Sequence, residues 1–235
     1  MKSSPAQLRS RGYITDDDLL SIINKGKIDL VELTTDPSPW VRTVAVRLLG
    51  LSPNKKNIPH IITLLSKEKK LYTKLEICDL LTKFGIESLP YLLPLIGKIG
   101  KNQHKKPSLV DLKKQSFPLP RDLVARVIIR IGQVALPELE RILDNGDDEQ
   151  ILESIDIIGH IAFNYRDIRS EKKLFELAKR KQNCEMTKWK IVRAFQAFPS
   201  QDVVDFLTDI VMNSDNDLFV QEAKRSLARI KNNYN

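Results

Sequence analysis

The feature that most constrains this chain is a stripe of small or apolar residues that recurs six times. Its clearest copy lies in Asp36-Pro-Ser-Pro-Trp-Val-Arg-Thr-Val-Ala-Val-Arg-Leu-Leu-Gly50, where Val41, Ala45 and Leu49 are spaced four and four. Residues at positions 0, +4, +8 and +11 share one face of a helix. The template returns as Thr73, Ile77, Leu81, Phe84 and as Leu123, Val127, Ile131, Val134. It continues through Gln150, Ser154, Ile158, Ile161, through Thr187, Ile191, Phe195, Phe198, and through Phe219, Ala223, Leu227, Ile230. The copies start at 41, 73, 123, 150, 187 and 219, so the steps are 32, 50, 27, 37 and 32. The long step implies an insertion of about 20 residues into one repeat. A period near 30 to 40 residues with two helices per unit is the signature of stacked helical hairpins, in which each unit buries its apolar face only against its neighbours.

A second helix precedes each copy. Three of these begin with a proline, in Ile58-Pro59-His60-Ile61, Leu89-Pro90-Tyr91-Leu92 and Leu136-Pro137-Glu138-Leu139. Proline is tolerated in the first turn, where its missing N–H has no intrahelical partner to lose. Gly85 and Gly132, each five residues before such a proline, fit the ends of the preceding helices. The pattern predicts helix pairs at 28–36 with 38–51, 57–69 with 70–85, 87–100 with 120–133, 135–145 with 147–163, 169–181 with 184–198 and 200–213 with 217–231. A leading helix at 16–24 follows Thr15, with Asp16, Asp17 and Asp18 complementing its dipole. The fold expected is all-α: a right-handed helical-hairpin solenoid of about six helix pairs, one domain over 1–235, with an irregular basic insertion at about 101–119.

The segment Val41-Arg-Thr-Val-Ala-Val-Arg-Leu-Leu-Gly50 resembles the second-helix signature of HEAT repeats, and Gly132-Gln-Val-Ala-Leu-Pro-Glu-Leu-Glu-Arg-Ile-Leu-Asp144 resembles the first. The resemblance covers residues 28 to 232 and is closest to the short repeats also found in phycobilisome-lyase-type HEAT proteins. It implies an armadillo-like superhelix and, for most members, a scaffold or adaptor role. A minority bind or modify nucleic acid, among them glycosylases that excise alkylated bases. The repeat type also implies a third class, lyases or chaperones of chromophore proteins.

Composition removes several functions. No apolar run approaches 18 residues, so no transmembrane helix is expected. Residues 1–13 lack an apolar core, so no secretory signal is expected. Two cysteines, Cys78 and Cys184, are too few for a disulfide framework or a four-cysteine zinc site, and a cytoplasmic setting is expected. The net charge of +8 is unevenly spread. Residues 98–130 carry nine Lys/Arg and two Asp/Glu, residues 134–156 one Arg and eight acids, and residues 166–193 ten bases and four acids. An acidic block between basic ones opposes a continuous phosphate backbone.

No motif for catalysis is legible. His60, His104 and His160 stand alone, outside any HExxH or Cys/His cluster. There is no GxGxxG, no GxxxxGK followed by Ser or Thr, and no GxSxG, so no cofactor is expected. What remains is the face of each second helix at positions +2 and +6, away from the buried stripe. It carries Arg47, Asp79, Asp156, Trp189, Arg193 and Arg225, with apolar spots at Leu75, Ile129 and Leu152. In HEAT-like proteins second helices line the concave side, so these six residues are the expected partner-binding set. A mixed apolar and charged lining suits a protein better than bare phosphate. Trp189, with Arg193 one turn later, is the expected exposed hot spot. The expected function is a non-enzymatic adaptor that binds a protein through its concave face. The alternative is nucleic-acid binding, with Asp156 and Trp189 imagined as the carboxylate and aromatic of a base-excision site. The insertion, with His104-Lys-Lys and Lys113-Lys114, reads as a loop whose removal the scaffold would survive.

Overall fold

The structure, a computed structural model, describes residues 3–24, 26, 28–108, 116–181 and 183–234. It is all-helical, with 72% of residues in helix and no strand among the described residues. No helix among them is long and apolar enough to cross a membrane. The chain divides into two compact units, Met1–Leu92 and Leu93–Asn235.

The first unit holds α1 (Pro5–Arg9), α2 (Asp16–Ile23), α3 (Leu30–Leu33), α4 (Pro39–Leu49), α5 (Ile58–Lys67), α6 (Leu71–Phe84) and α7 (Leu89–Leu92). The expected start of α2 is realised by a capping box, in which the Thr15 N–H donates to Asp18 Oδ2 at 2.9 Å. Helix α4 packs on α2, α3 and α6. Val41 and Ala45 of its stripe are buried, as are Thr73, Ile77 and Leu81 of α6. Thr43 and Thr73 share a buried hydroxyl hydrogen bond at 2.8 Å. Arg42 donates twice to Glu68, at 2.8 and 3.0 Å, and so ties the start of α4 to the end of α5.

The second unit holds α8 (Leu123–Ile131), α9 (Leu136–Asn145), α10 (Asp148–Tyr165), α11 (Glu171–Arg180), α12 (Glu185–Ala194), α13 (Gln201–Asn213) and α14 (Asp217–Tyr234). Helices α8, α10, α12 and α14 pack side by side in that order, while α9 packs on α10, α11 on α9 and α12, and α13 on α14. This is the pairing of first and second helices that the spacing implies. Side chains cap the row: Asp122 accepts from the Ala125 N–H at 3.0 Å, and Asp147 from the Gln150 N–H at 2.9 Å. Pro59 and Pro137 sit in the first turns of α5 and α9. Gly85 and Gly132, at φ 58° and 89°, take the positive-φ positions expected where α6 and α8 end.

Three expectations need correction. The helix predicted at 87–100 stops after one turn, because Pro94 cannot donate back and its ring collides with the carbonyl four residues earlier. Val134 is exposed although it completes a stripe, since Gly132 turns the chain before the last position is reached. The insertion is irregular as expected, but it is not a mere excursion. Phe117 is buried, and its ring lies 5.7 Å from His160 and 5.8 Å from Phe163. Residues 109–115, which include Lys113 and Lys114, lie outside the described residues.

Candidate functional site

Position +3 of the last three repeats is Glu153, Lys190 and Glu222, and position +6 is Asp156, Arg193 and Arg225. Stacking α10, α12 and α14 side by side brings these columns together. Lys190 Nζ lies 2.8 Å from Glu153 Oε1 and 2.9 Å from Asp156 Oδ2, and also donates to the Leu152 carbonyl at 3.0 Å. Arg193 Nη2 donates to Asp156 Oδ1 at 2.5 Å. One repeat on, Trp189 Nε1 donates to Glu222 Oε2 and Arg225 Nη1 to Glu222 Oε1, both at 3.0 Å. The Arg193 guanidinium stacks 4.4 Å from the centre of the Trp189 ring.

The electrostatics follow from burial and pairing. Burial pushes the Asp156 carboxyl up, but the Arg193 guanidinium and the Lys190 ammonium outweigh it and hold it at about 2. Glu153 is pushed up, by burial first and by the Asp156 charge second, against the pull of Lys190. Burial also raises Glu222, against Arg225 and Arg193. Buried ion pairs of this kind specify an arrangement more than they stabilise it, because desolvation consumes most of the attraction.

The six predicted partner-binding residues therefore divide. Arg47 and Asp79 belong to the first unit; Arg47 is half-exposed and pairs with Glu76 at 2.5 Å, and Asp79 is exposed on α6. Asp156, Trp189, Arg193 and Arg225 lie together in the second unit, but all four are buried, Trp189 completely (0%). The exposed Trp189–Arg193 hot spot is thus overturned. At Trp189 the insertion contributes to this burial. Its His104 ring lies 5.2 Å from the Trp189 ring, and its Phe117 fills the space beside Gly159, where an added Cβ would come within 2.6 Å of the phenyl ring. Burial, then Arg193 and Lys190, lower His104 to about 4, so its ring is neutral there. The base-excision alternative requires an open carboxylate and an open aromatic; Asp156 and Trp189 are neither in this conformation.

Sequence reading missed Glu153, Lys190 and Glu222, which complete the cluster. It also missed an aromatic cavity of this unit, on its first helices. Phe175 of α11 and Phe206 of α13 are half-exposed, 5.7 Å apart, and both stack on the buried Phe195, at 4.7 and 5.4 Å. With Ile191 they line a cavity of about 780 Å³. Lys172, Lys179 and Lys188 face it, against Glu171 and Asp202. Interlocked edge-to-face and tilted rings make a rigid platform that loses little entropy on binding. No family model matches this sequence, and no curated protein does.

Proposed function

We propose that this chain is a non-enzymatic binding module of HEAT-like helical hairpins, working as an adaptor in the cytoplasm. Its second unit captures a segment of a protein partner in the groove framed by α11, α12 and α13. The observation that carries this reading is the phenylalanine floor of Phe175 and Phe206, half-open to solvent inside a cavity of about 780 Å³ and edged by lysines. Apolar floors with a few polar groups at the rim are where small segments dock. The rim sets the chemistry of the occupant: three lysines against two acids favour an acidic segment that inserts an aromatic or aliphatic anchor. The proposal keeps the protein-binding expectation and moves it from the buried second-helix face to the first helices.

The test is selection of peptides from a random displayed library against the full chain, followed by fluorescence polarisation with the enriched peptide. Enriched sequences should carry a Phe, Trp or Leu flanked by Asp or Glu. Lys179→Glu with Lys188→Glu should leave the melting temperature unchanged and weaken binding by about tenfold or more. No enrichment, or binding indifferent to both lysines, would defeat the reading.

A further inference from the structure

We propose that residues 101–108 and the entry to α8 form a second site, separate from the phenylalanine groove, for a small anion bearing two or more phosphate groups. Lys101, Lys105 and Lys106 from the insertion and Arg121 and Arg126 from the start of α8 surround a cleft of about 600 Å³. No Asp or Glu is among the described residues lining it. The acid nearest in sequence, Asp122, is turned inward: it is fully buried and accepts from the N–H groups of Gly97 at 3.2 Å and Ala125 at 3.0 Å. Five cations are therefore gathered, and no carboxylate among the described residues lines the cleft to balance them.

The backbone that carries the lysines is pinned. Between Lys101 and Lys105, Gln103 Nε2 donates to the Gly97 carbonyl at 3.0 Å and the Ile99 carbonyl at 3.3 Å, and reaches Asp122 Oδ1 at 3.4 Å. His104 is seated against Trp189. On the other wall, Arg126 Nε donates to the Pro120 carbonyl at 2.7 Å, which fixes the plane of its guanidinium. Like charges held together in a recess raise the local potential and attract a multivalent anion. Guanidinium forks match phosphate oxygens in pairs, while ammonium groups act as point charges. The cleft is too small for a duplex, and the acidic block at 134–156, in the same unit, opposes an extended backbone. A diphosphate or triphosphate group satisfies both size and charge.

The experiment is isothermal titration of the full chain with inorganic tripolyphosphate at about 150 mM salt, where exposed charges are largely screened beyond about 8 Å. Saturable one-site binding is expected. Lys105→Gln with Lys106→Gln, and separately Arg121→Gln, should each weaken it by about tenfold or more while leaving the melting temperature of the unliganded chain in place. Lys179→Gln with Lys188→Gln, at the groove, should leave it unchanged. Tighter binding of a nucleoside triphosphate than of tripolyphosphate would assign the phosphates to a nucleotide; equal binding would assign them to the inorganic chain. The proposal is overturned if the wild type does not bind at millimolar tripolyphosphate, if the cleft variants bind as the wild type does, or if a short duplex binds and tripolyphosphate fails to displace it.

Discussion

At the scale of single residues, the second unit concentrates its charge chemistry where helix phase places a surface. Asp156 has two cationic partners and no open face, so removing it takes a buried carboxylate from Arg193 and leaves Lys190 to Glu153 and the Leu152 carbonyl. Breaking a buried pair by deleting one member costs about 3–5 kcal/mol, and Asp156→Ala is expected to lower the urea midpoint by a matching amount. The pH dependence has a definite sign. The folded pKa of about 2 lies below the ordinary 3.8, so this stabilisation is complete above the unfolded pKa and is lost as pH falls towards 2. His104 works in another window. Its fall from 6.5 to about 4 means that the folded seat favours the neutral ring, so the contribution is whole above 6.5 and disappears as pH falls towards 4. The charges facing it are Arg193, Lys190 and Arg121, which oppose protonation, and Asp156, which favours it. In a Trp40→Phe background, which leaves Trp189 as the one indole, acrylamide quenching should rise between pH 6.5 and 4, and His104→Gln should abolish that step. A quenching curve flat across this range would mean that His104 does not hold the cover. The cluster was partly legible. Asp156, Arg193 and Arg225 share position +6, and the alternating charges of Glu153, Lys190 and Glu222 at +3 could have been read once the repeats were aligned by column. What periodicity does not carry is the element that lies over them.

At the scale of elements, that cover is the insertion. Helix phase marked Trp189 as lying off the stripe, which is true of the helix and false of the surface, because α10 and α12 are buried on both faces. Gly159 shows why they must be. An added Cβ would stand 3.0 Å from Ala194 Cβ as well as 2.6 Å from Phe117, so α10, α12 and the insertion converge on a point where only hydrogen fits. Gly159→Val is expected to cost about 1–3 kcal/mol through overpacking, seen as a lowered midpoint with no change in denaturant slope. A neutral result would place Phe117 elsewhere. Replacing 101–119 with a short linker, which the sequence suggests is harmless, should instead lower the melting temperature and make Trp189 quenchable. The helix ends tell a related story. Capping residues and first-turn prolines set the starts of α2, α5 and α9 correctly, since their physics is local. The missing helix after Leu92 was also local: Pro94 was in the sequence and outweighed the apolar run around it.

At the scale of the whole chain, the net charge of +8 and the basic blocks raise the competing possibility that nucleic acid is the partner. Binding led by phosphate neutralisation loses orders of magnitude between about 50 and about 200 mM salt. Binding led by an aromatic anchor does not, because burying its apolar area is indifferent to counterions. The two function classes therefore separate in one titration. Labelled duplex retention is expected to be weak at the lower salt and to vanish at the higher, since the eight acids of residues 134–156 interrupt the basic blocks. Capture of an acidic, anchor-bearing peptide should persist at the higher salt and fall with Phe206→Ala. That variant removes a half-exposed ring, so its melting temperature must be measured beside it; the paired Lys179→Glu and Lys188→Glu change keeps both groove rings and gives up only the Lys188 ammonium over the Phe219 ring. Duplex binding that survives about 200 mM salt and is indifferent to the groove lysines would hand the function to nucleic acid, and would require the insertion to lift from Trp189, which the quenching of that indole on duplex addition would report.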